Sequence, residues 1–322
     1  MGTSPQRTDL CANLGWDYHG HRREELLVLL FVVWEIINMK PRAANALVAK
    51  PSSAAAALSF VRRVHALRTG IELVKTPKVT RVVNGFLRMY IQAYGPEALM
   101  PDCKEPLSAS QVKAILTQPN GTVLPDISGA YSVIEWHTPF FSALRALFAV
   151  SWQTGFRKNE VALNDAETWH PGRLARSNVR YRKNDEYYAT LPVQELQSLG
   201  HGDHVVLIPP VSKNDPFCQR FANKPIYLPF HDGPLCAARA IRDLEMRFPI
   251  TGALRHSAPL FALDAHFKPI RHPTLDKNFR AFIKLIVPPE RVCQYSMHSF
   301  RIGLASALLL AGKSHPLIQA LL

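Results

Sequence analysis

Residues 187–193 (YYATLPV), 204–211 (HVVLIPPV) and 225–230 (PIYLPF) are short runs of β-branched and aromatic residues, separated by Gly, Asn, Asp and Pro. Runs of that length between turn residues predict strands joined by tight connections, so the stretch 179–230 is expected to be strand-rich. The sequence on both sides of it reads as helix. Upstream, Thr138 and Pro139 form a cap and first-turn pair for FFSALRALFAVSWQ, which Gly155 ends. TGFRKNEVALN then predicts a sharp turn into a short helix. Downstream, Leu275, Phe279, Phe282 and Ile286 recur at helical spacing in DKNFRAFIKLI. MHSFRIGLASALLLAG follows, with Phe300, Leu304 and Ala307 expected to face inward and Gly312 as the stop. The expectation is an α-rich, mixed α/β domain with a small antiparallel sheet inserted.

The first third of the chain predicts helix only. From Arg22 to about Tyr94 the runs ELLVLLFVVWEII, SSAAAALSFVRRVHALRTG and TRVVNGFLRMYIQAYG each read as helical. In the second, Leu58, Val61, Val64 and Leu67 form the apolar stripe; in the third, Val82, Phe86 and Met89 do. Arg62, Arg63, Arg68, Arg81 and Arg88 fall on the other faces, where they serve either solubility or contact with a polyanion. The segment GPEALMPDCKEP, with three prolines, reads as a linker. Ser108 followed by Gln111 then gives a capping-box start to a new helix. The expected organisation is an irregular segment 1–21, a helical domain 22–103 and an α/β domain 104–322, and 322 residues suffice for two cores.

Composition narrows the class. With 47% apolar and 20% charged residues the chain is of ordinary globular type, which excludes disorder and fibrous architectures as its main state. The longest apolar run, Leu26 to Trp34, has nine residues, too few to span a bilayer. MGTSPQRTDL has no basic segment leading into an apolar one, so no secretory signal and an intracellular location are expected. The net charge is +13, made of +5 over residues 1–110 and +8 over 111–322. A positive excess spread through a folded body points first to nucleic acid and second to a phospholipid surface. Cys11, Cys103, Cys218, Cys236 and Cys293 make neither a CxxC pair nor a disulfide framework. His201 and His204 have a metal-like spacing but sit in a Gly-containing turn with no second ligand pair, so no metal and no cofactor are expected.

Three places combine cations with rigid local structure. In TGFRKNEV, Arg157 follows a glycine turn, and Glu160, three residues on, shares its helix face and could orient it. In Ser212-Lys213-Asn214-Asp215-Pro216, turn chemistry puts Lys213 at a hairpin tip, from which it could donate a proton. In HSFR, the three-residue spacing puts His298 and Arg301 on one helix face, where they could clamp one phosphate. Each alone is matched by a bland surface reading.

Together, TGFRKNEV, a lysine on a β-turn and MHSFRIGLAS, in that order and at those separations, resemble the tyrosine recombinases of the phage-integrase superfamily. KEPLSASQVKAIL resembles the family's approach to its catalytic domain, and PSSAAAALSFVRRVHALRTG part of its helical core-binding domain. The resemblance covers roughly residues 50–322. It implies a helical core-binding domain and a mixed α/β catalytic domain closing as a clamp on double-stranded DNA. It also implies Arg157 and Arg301 as the two phosphate-binding arginines, His298 beside them, Lys213 as general acid for the leaving 5′ oxygen, and Glu160 as support for Arg157. The implied reaction is strand cleavage and rejoining through a 3′-phosphotyrosine, without metal or cofactor, by a homo-tetramer on DNA and away from membranes. In a eukaryote the location would be the nucleus.

One part of the family pattern is missing. The family places a histidine or tryptophan, and then the nucleophilic tyrosine, on the segment after HSFR. Here SHPLIQALL ends at Leu322 as an apolar helix cut short, and Tyr295 precedes the motif. Tyr181, Tyr187 and Tyr188 lie in the strand region. The expectation is a chain truncated before its nucleophile. A topoisomerase that swivels one strand and a non-catalytic DNA-binding remnant remain as alternatives.

Overall fold

The computed structural model describes residues 21–38, 50–70, 77–95, 104–164, 167–169, 173–209, 224–264 and 266–321. The chain divides into two compact units, Met1–Pro101 and Asp102–Leu322. Of the irregular segment expected over residues 1–21, residues 1–20 lie outside the described residues and His21 is already helical; of the expected linker, residues 96–103 lie outside them.

In the first unit the described residues form helices α1 (His21–Asn38), α2 (Pro51–Thr69) and α3 (Pro77–Tyr94). Pro51 opens α2 with its ring already at helical φ, and Gly70 closes it at φ +71°, its N–H bonding the Ala66 carbonyl at 2.9 Å. Val28 and Val32 from α1 pack on Leu58 of α2 and Val79 of α3. The expected stripes need correcting. Leu58 is buried, but Leu67 is 81% exposed, and Met89 is 69% exposed while Val79 and Tyr90 are buried. From Leu58 to Leu67 the repeated spacing of three falls behind the 3.6-residue turn, so Leu67 ends about half a turn off the packed face; Met89 stands about 100° round the helix from the buried Tyr90. Arg63, Arg68, Arg81 and Arg88 are exposed and Arg62 is half-buried.

The second unit is built round one helix. Ser108 and Gln111 form the reciprocal capping box of α4 (Ala109–Leu116). In α5 (Pro139–Thr154) the side chains from Phe140 to Trp152 are buried except that of Arg145. A helix buried on every side is a core helix, and the other elements wrap it. The four-stranded antiparallel sheet runs β2-β1-β3-β4, with β1 Val179–Lys183, β2 Glu186–Tyr188, β3 His204–Leu207 and β4 Ile226–Pro229. Tyr181 faces Val205, and Leu207 faces Ile226. The run 187–193 supplies only Tyr187 and Tyr188 to the sheet, and Val193–Ser198 forms helix α7. The helix α8 (Ala237–Arg247) packs on α5 and on β3 and β4. No described helix is long and apolar enough to cross a membrane.

An ionic group ties sheet to helices from inside. The Glu245 carboxylate of α8 meets Arg176 at 3.2 Å and, at 2.8 Å, Arg255 of the one-turn helix α9 (Leu254–Ser257), all three buried. Arg255 also donates to the Arg176 carbonyl at 2.8 Å. Burial pulls the Arg176 pKa below the usual guanidinium range against the opposing pull of Glu245. Burial pushes the neighbouring Tyr181 phenol up.

Candidate active site

The site forms where α5 ends. Gly155, at φ +63°, closes the helix with its N–H on the Ser151 carbonyl at 3.0 Å. The chain then extends through Arg157, the cap of the one-turn helix α6 (Lys158–Val161). Glu160 holds Arg157 twice: Oε2 accepts the Arg157 N–H at 2.6 Å, and Oε1 pairs with Nη1 at 3.4 Å. The guanidinium keeps a third of its side chain in solvent.

Helix α11 (His298–Leu310) brings the second cation to the same place. Phe300 is fully buried, stacked on Phe148 of α5 at 5.6 Å and beside Phe279 of α10 (His272–Lys284) at 5.7 Å. With Phe300 so anchored, its neighbour Arg301 lies over the end of α5, and Nη1 donates to the Gly155 carbonyl at 2.9 Å. Partial burial, then the nearby Arg157, lowers the Arg301 pKa, with Glu160 pulling the other way. His298 opens α11 and is exposed. What burial it has, then Arg301 and Arg157, hold its imidazole below the ordinary histidine range. Arg157, His298 and Arg301 therefore act on one another, and among the described residues the carboxylate that offsets the two arginines is Glu160. Such a cluster is deficient in negative charge, and the two guanidiniums suit a bidentate oxyanion such as a phosphate.

The structure brings Arg157, Glu160, His298 and Arg301 together. Lys213 lies outside the described residues, in the connection between β3 and β4. Lys158, the neighbour of Arg157, is held by Asp276 at 2.9 Å and is turned to that pairing. Arg62, Arg63, Arg68, Arg81 and Arg88 belong to the other unit. The hydroxyls of Tyr295, Tyr181, Tyr187 and Tyr188 are engaged elsewhere or buried. Tyr295 donates to Glu105 at 2.7 Å and accepts from Gln111, Tyr187 pairs with Tyr227, Tyr188 donates to Glu186, and Tyr181 is enclosed without a partner. His201 meets Asp232 at 3.5 Å, and His204 sits edge-on to Tyr227. Among the described residues no three His, Cys, Asp or Glu side chains are grouped to hold a metal ion.

Sequence reasoning missed Gly303. A Cβ there would clash with the Leu107 carbonyl oxygen and stand 2.9 Å from Trp152 Cζ3. The signal was available, since a glycine inside an apolar helical run marks a close approach. No protein-family model matches the chain, and no curated protein matches it.

Proposed function

We propose that this protein breaks and rejoins DNA strands in the manner of a tyrosine recombinase, with Arg157, His298 and Arg301 binding the scissile phosphate. The observation that carries the reading is the convergence of the two arginine motifs. Arg301 donates to Gly155, 146 positions away in the chain, and so stands beside Arg157. Glu160 positions Arg157, and Lys213 acts as general acid.

The chemistry follows from the charges. The guanidiniums hold the non-bridging oxygens and stabilise the charge that grows on them at the pentavalent phosphorus. A tyrosine hydroxyl releases its proton to water as its oxygen attacks phosphorus, the bond from phosphorus to O5′ breaks, and Lys213 delivers the proton that the leaving oxygen needs. The product is a 3′-phosphotyrosine and a free 5′-hydroxyl; attack by a partner strand's 5′-hydroxyl reverses the steps. No residue of this chain is assigned as the nucleophile. The arginines of the first unit, Arg62, Arg63, Arg68, Arg81 and Arg88, contact the backbone of the duplex, and protomers assemble as a tetramer to exchange strands. In a eukaryotic cell this places the protein in the nucleus.

The test supplies a nucleophile from solution. Duplexes that bind the full chain are selected from a random-sequence library and treated with hydrogen peroxide, whose anion is small enough to attack the bound phosphate. The reading expects strand scission that falls on the order of 100-fold or more in Arg157→Ala and Arg301→Ala, with DNA still bound. No scission above background, or equal scission by both variants, overturns it.

A further inference from the structure

We propose that Tyr295 and Glu105 are positioning residues that fix the start of α11, and through it His298 and Arg301, against Arg157. This rests on the strand-breaking reading for its catalytic consequence only; the structural relationship stands apart from it.

The observations form a chain of bonds. Residues 104–107, just inside the second unit, lie along the segment that leads into α11. The Glu105 N–H bonds the Gln294 carbonyl at 2.8 Å, and the Leu107 N–H bonds the Ser299 carbonyl at 3.1 Å. Lys104 Nζ reaches the Cys293 carbonyl at 3.0 Å. Side chains close the arrangement. The Glu105 carboxylate accepts from the Tyr295 hydroxyl at 2.7 Å and pairs with Arg291. Gln111 binds in two directions: Oε1 accepts the Ser108 N–H at 2.9 Å, and Nε2 donates to the Tyr295 hydroxyl at 3.2 Å. Helix α4 is thus bonded, through its own cap, to a buried tyrosine three residues ahead of His298.

The first turn of α11 is itself fixed. The His298 N–H donates to Ser296 Oγ at 3.2 Å, and the Ser296 N–H to Ser299 Oγ at 3.1 Å. Gly303, one turn along, lies against the Leu107 carbonyl with no room for a methyl group. Backbone 104–107 therefore meets α11 at Ser299 and at Gly303, on both sides of Arg301. A shift of this strap relative to Tyr295 moves His298 and Arg301 together. Displacements of about 1 Å in a catalytic group can cost on the order of 100-fold in rate.

Two variants test this in the full chain: Tyr295→Phe, which deletes one hydroxyl and keeps the buried ring, and Glu105→Gln, which keeps the shape and removes the charge. The first readout is the titration of His298 by NMR with histidine-labelled protein, assigned with His298→Gln. The charged groups that act on His298 are Arg301 on its own helix and Arg157 at the head of α6; the Glu160 carboxylate is paired with Arg157. If the start of α11 loosens, the imidazole gains water and moves from both guanidiniums, so its midpoint should rise in each variant. Tyr187→Phe, which removes a hydroxyl from the sheet, should leave it in place. The second readout is peroxide-driven scission, expected to fall on the order of tenfold or more while DNA affinity stays within about twofold. A His298 midpoint unchanged in both variants overturns the proposal, even if the melting temperature falls. A midpoint that rises while the parent protein cleaves no DNA keeps the positioning role and rejects the strand-breaking reading.

Discussion

Arg301 bonds the Gly155 carbonyl at 2.9 Å, so the guanidinium caps the end of α5 as well as facing the proposed phosphate site. The last carbonyls of a helix lack partners in the helix, and a cation there also meets the negative end of its dipole. Arg301→Ala should therefore cost about 1 kcal/mol, the net worth of one hydrogen bond. In a unit of this size that lowers the melting temperature by about 2–4 °C. Scission of a bound phosphodiester should fall far more, on the order of 100-fold. A variant that is unfolded at room temperature would make Arg301 a residue of the core and remove it from the site.

Two glycines give opposite expectations. At Gly303 an added methyl meets the Leu107 carbonyl and Trp152, so Gly303→Ala must push α11 off α5. Overpacking of this kind costs about 1–3 kcal/mol. At Gly85, inside α3, nothing lies within 4 Å of an added methyl. Gly85→Ala should stabilise by about 0.5–1 kcal/mol through helix propensity. Urea unfolding reads both; a neutral Gly303→Ala would mean that α11 does not approach Leu107 so closely.

Much of this arrangement was legible in the residues, and the exceptions have physical causes. The capping box at Ser108 and the Gly155 stop are local signals and form as read. Strand β1 was not singled out because VRYRK alternates two apolar residues with three cations; the apolar positions, Val179 and Tyr181, are the buried ones. Helix α8 was legible as well: Ala237, Ala240, Ile241 and Leu244 recur at helical spacing on its buried face, with Arg239, Asp243 and Arg247 on the others. The convergence on Gly155 depends on Phe300 docking against Phe148, a long-range packing event that no local pattern encodes.

The ionic group at Glu245 sets a large expectation. One carboxylate serves Arg176 and Arg255, all within the core. Glu245→Gln leaves two buried guanidiniums with no counter-charge, and breaking a buried pair from one side costs about 3–5 kcal/mol. The second unit should then unfold at much lower urea concentration, a shift visible in its tryptophan fluorescence. A loss below about 1 kcal/mol would show that water reaches the arginines.

His298 makes stability and ligand binding respond to pH in opposite directions. Its partial burial and the two guanidiniums set its folded-state midpoint below the ordinary value of about 6.5. As pH falls, the unfolded chain takes up this proton first. The contribution of His298 to stability is full above about pH 6.5 and is lost as pH falls towards the folded-state midpoint. His298→Gln should flatten that part of the stability profile; His272, lowered by burial and by Lys158, keeps its share of the slope. An oxyanion held between Arg157 and Arg301 favours the imidazolium, so inorganic phosphate should raise the His298 midpoint in an NMR titration. A midpoint indifferent to saturating phosphate would remove the anion site.

Duplex DNA binding should depend on salt in proportion to the phosphates met by the first unit. Arg63 and Arg68 on α2 and Arg81 and Arg88 on α3 are exposed, so changing them should leave the core of Val28, Val32, Leu58 and Val79 intact. Each arginine that neutralises a phosphate releases about 0.9 of a counterion, so each Arg→Gln change should flatten the plot of log affinity against log salt by about that amount. The four changes together should remove a slope of about 3–4 if all four touch the backbone. The loss should be similar across sequences, since phosphate contacts position the protein without reading bases. Unfolding of the variants, followed in parallel, should match the parent. A fourfold variant whose salt dependence equals the parent's would show that these arginines serve only solubility, and DNA contact would have to be sought on the second unit alone.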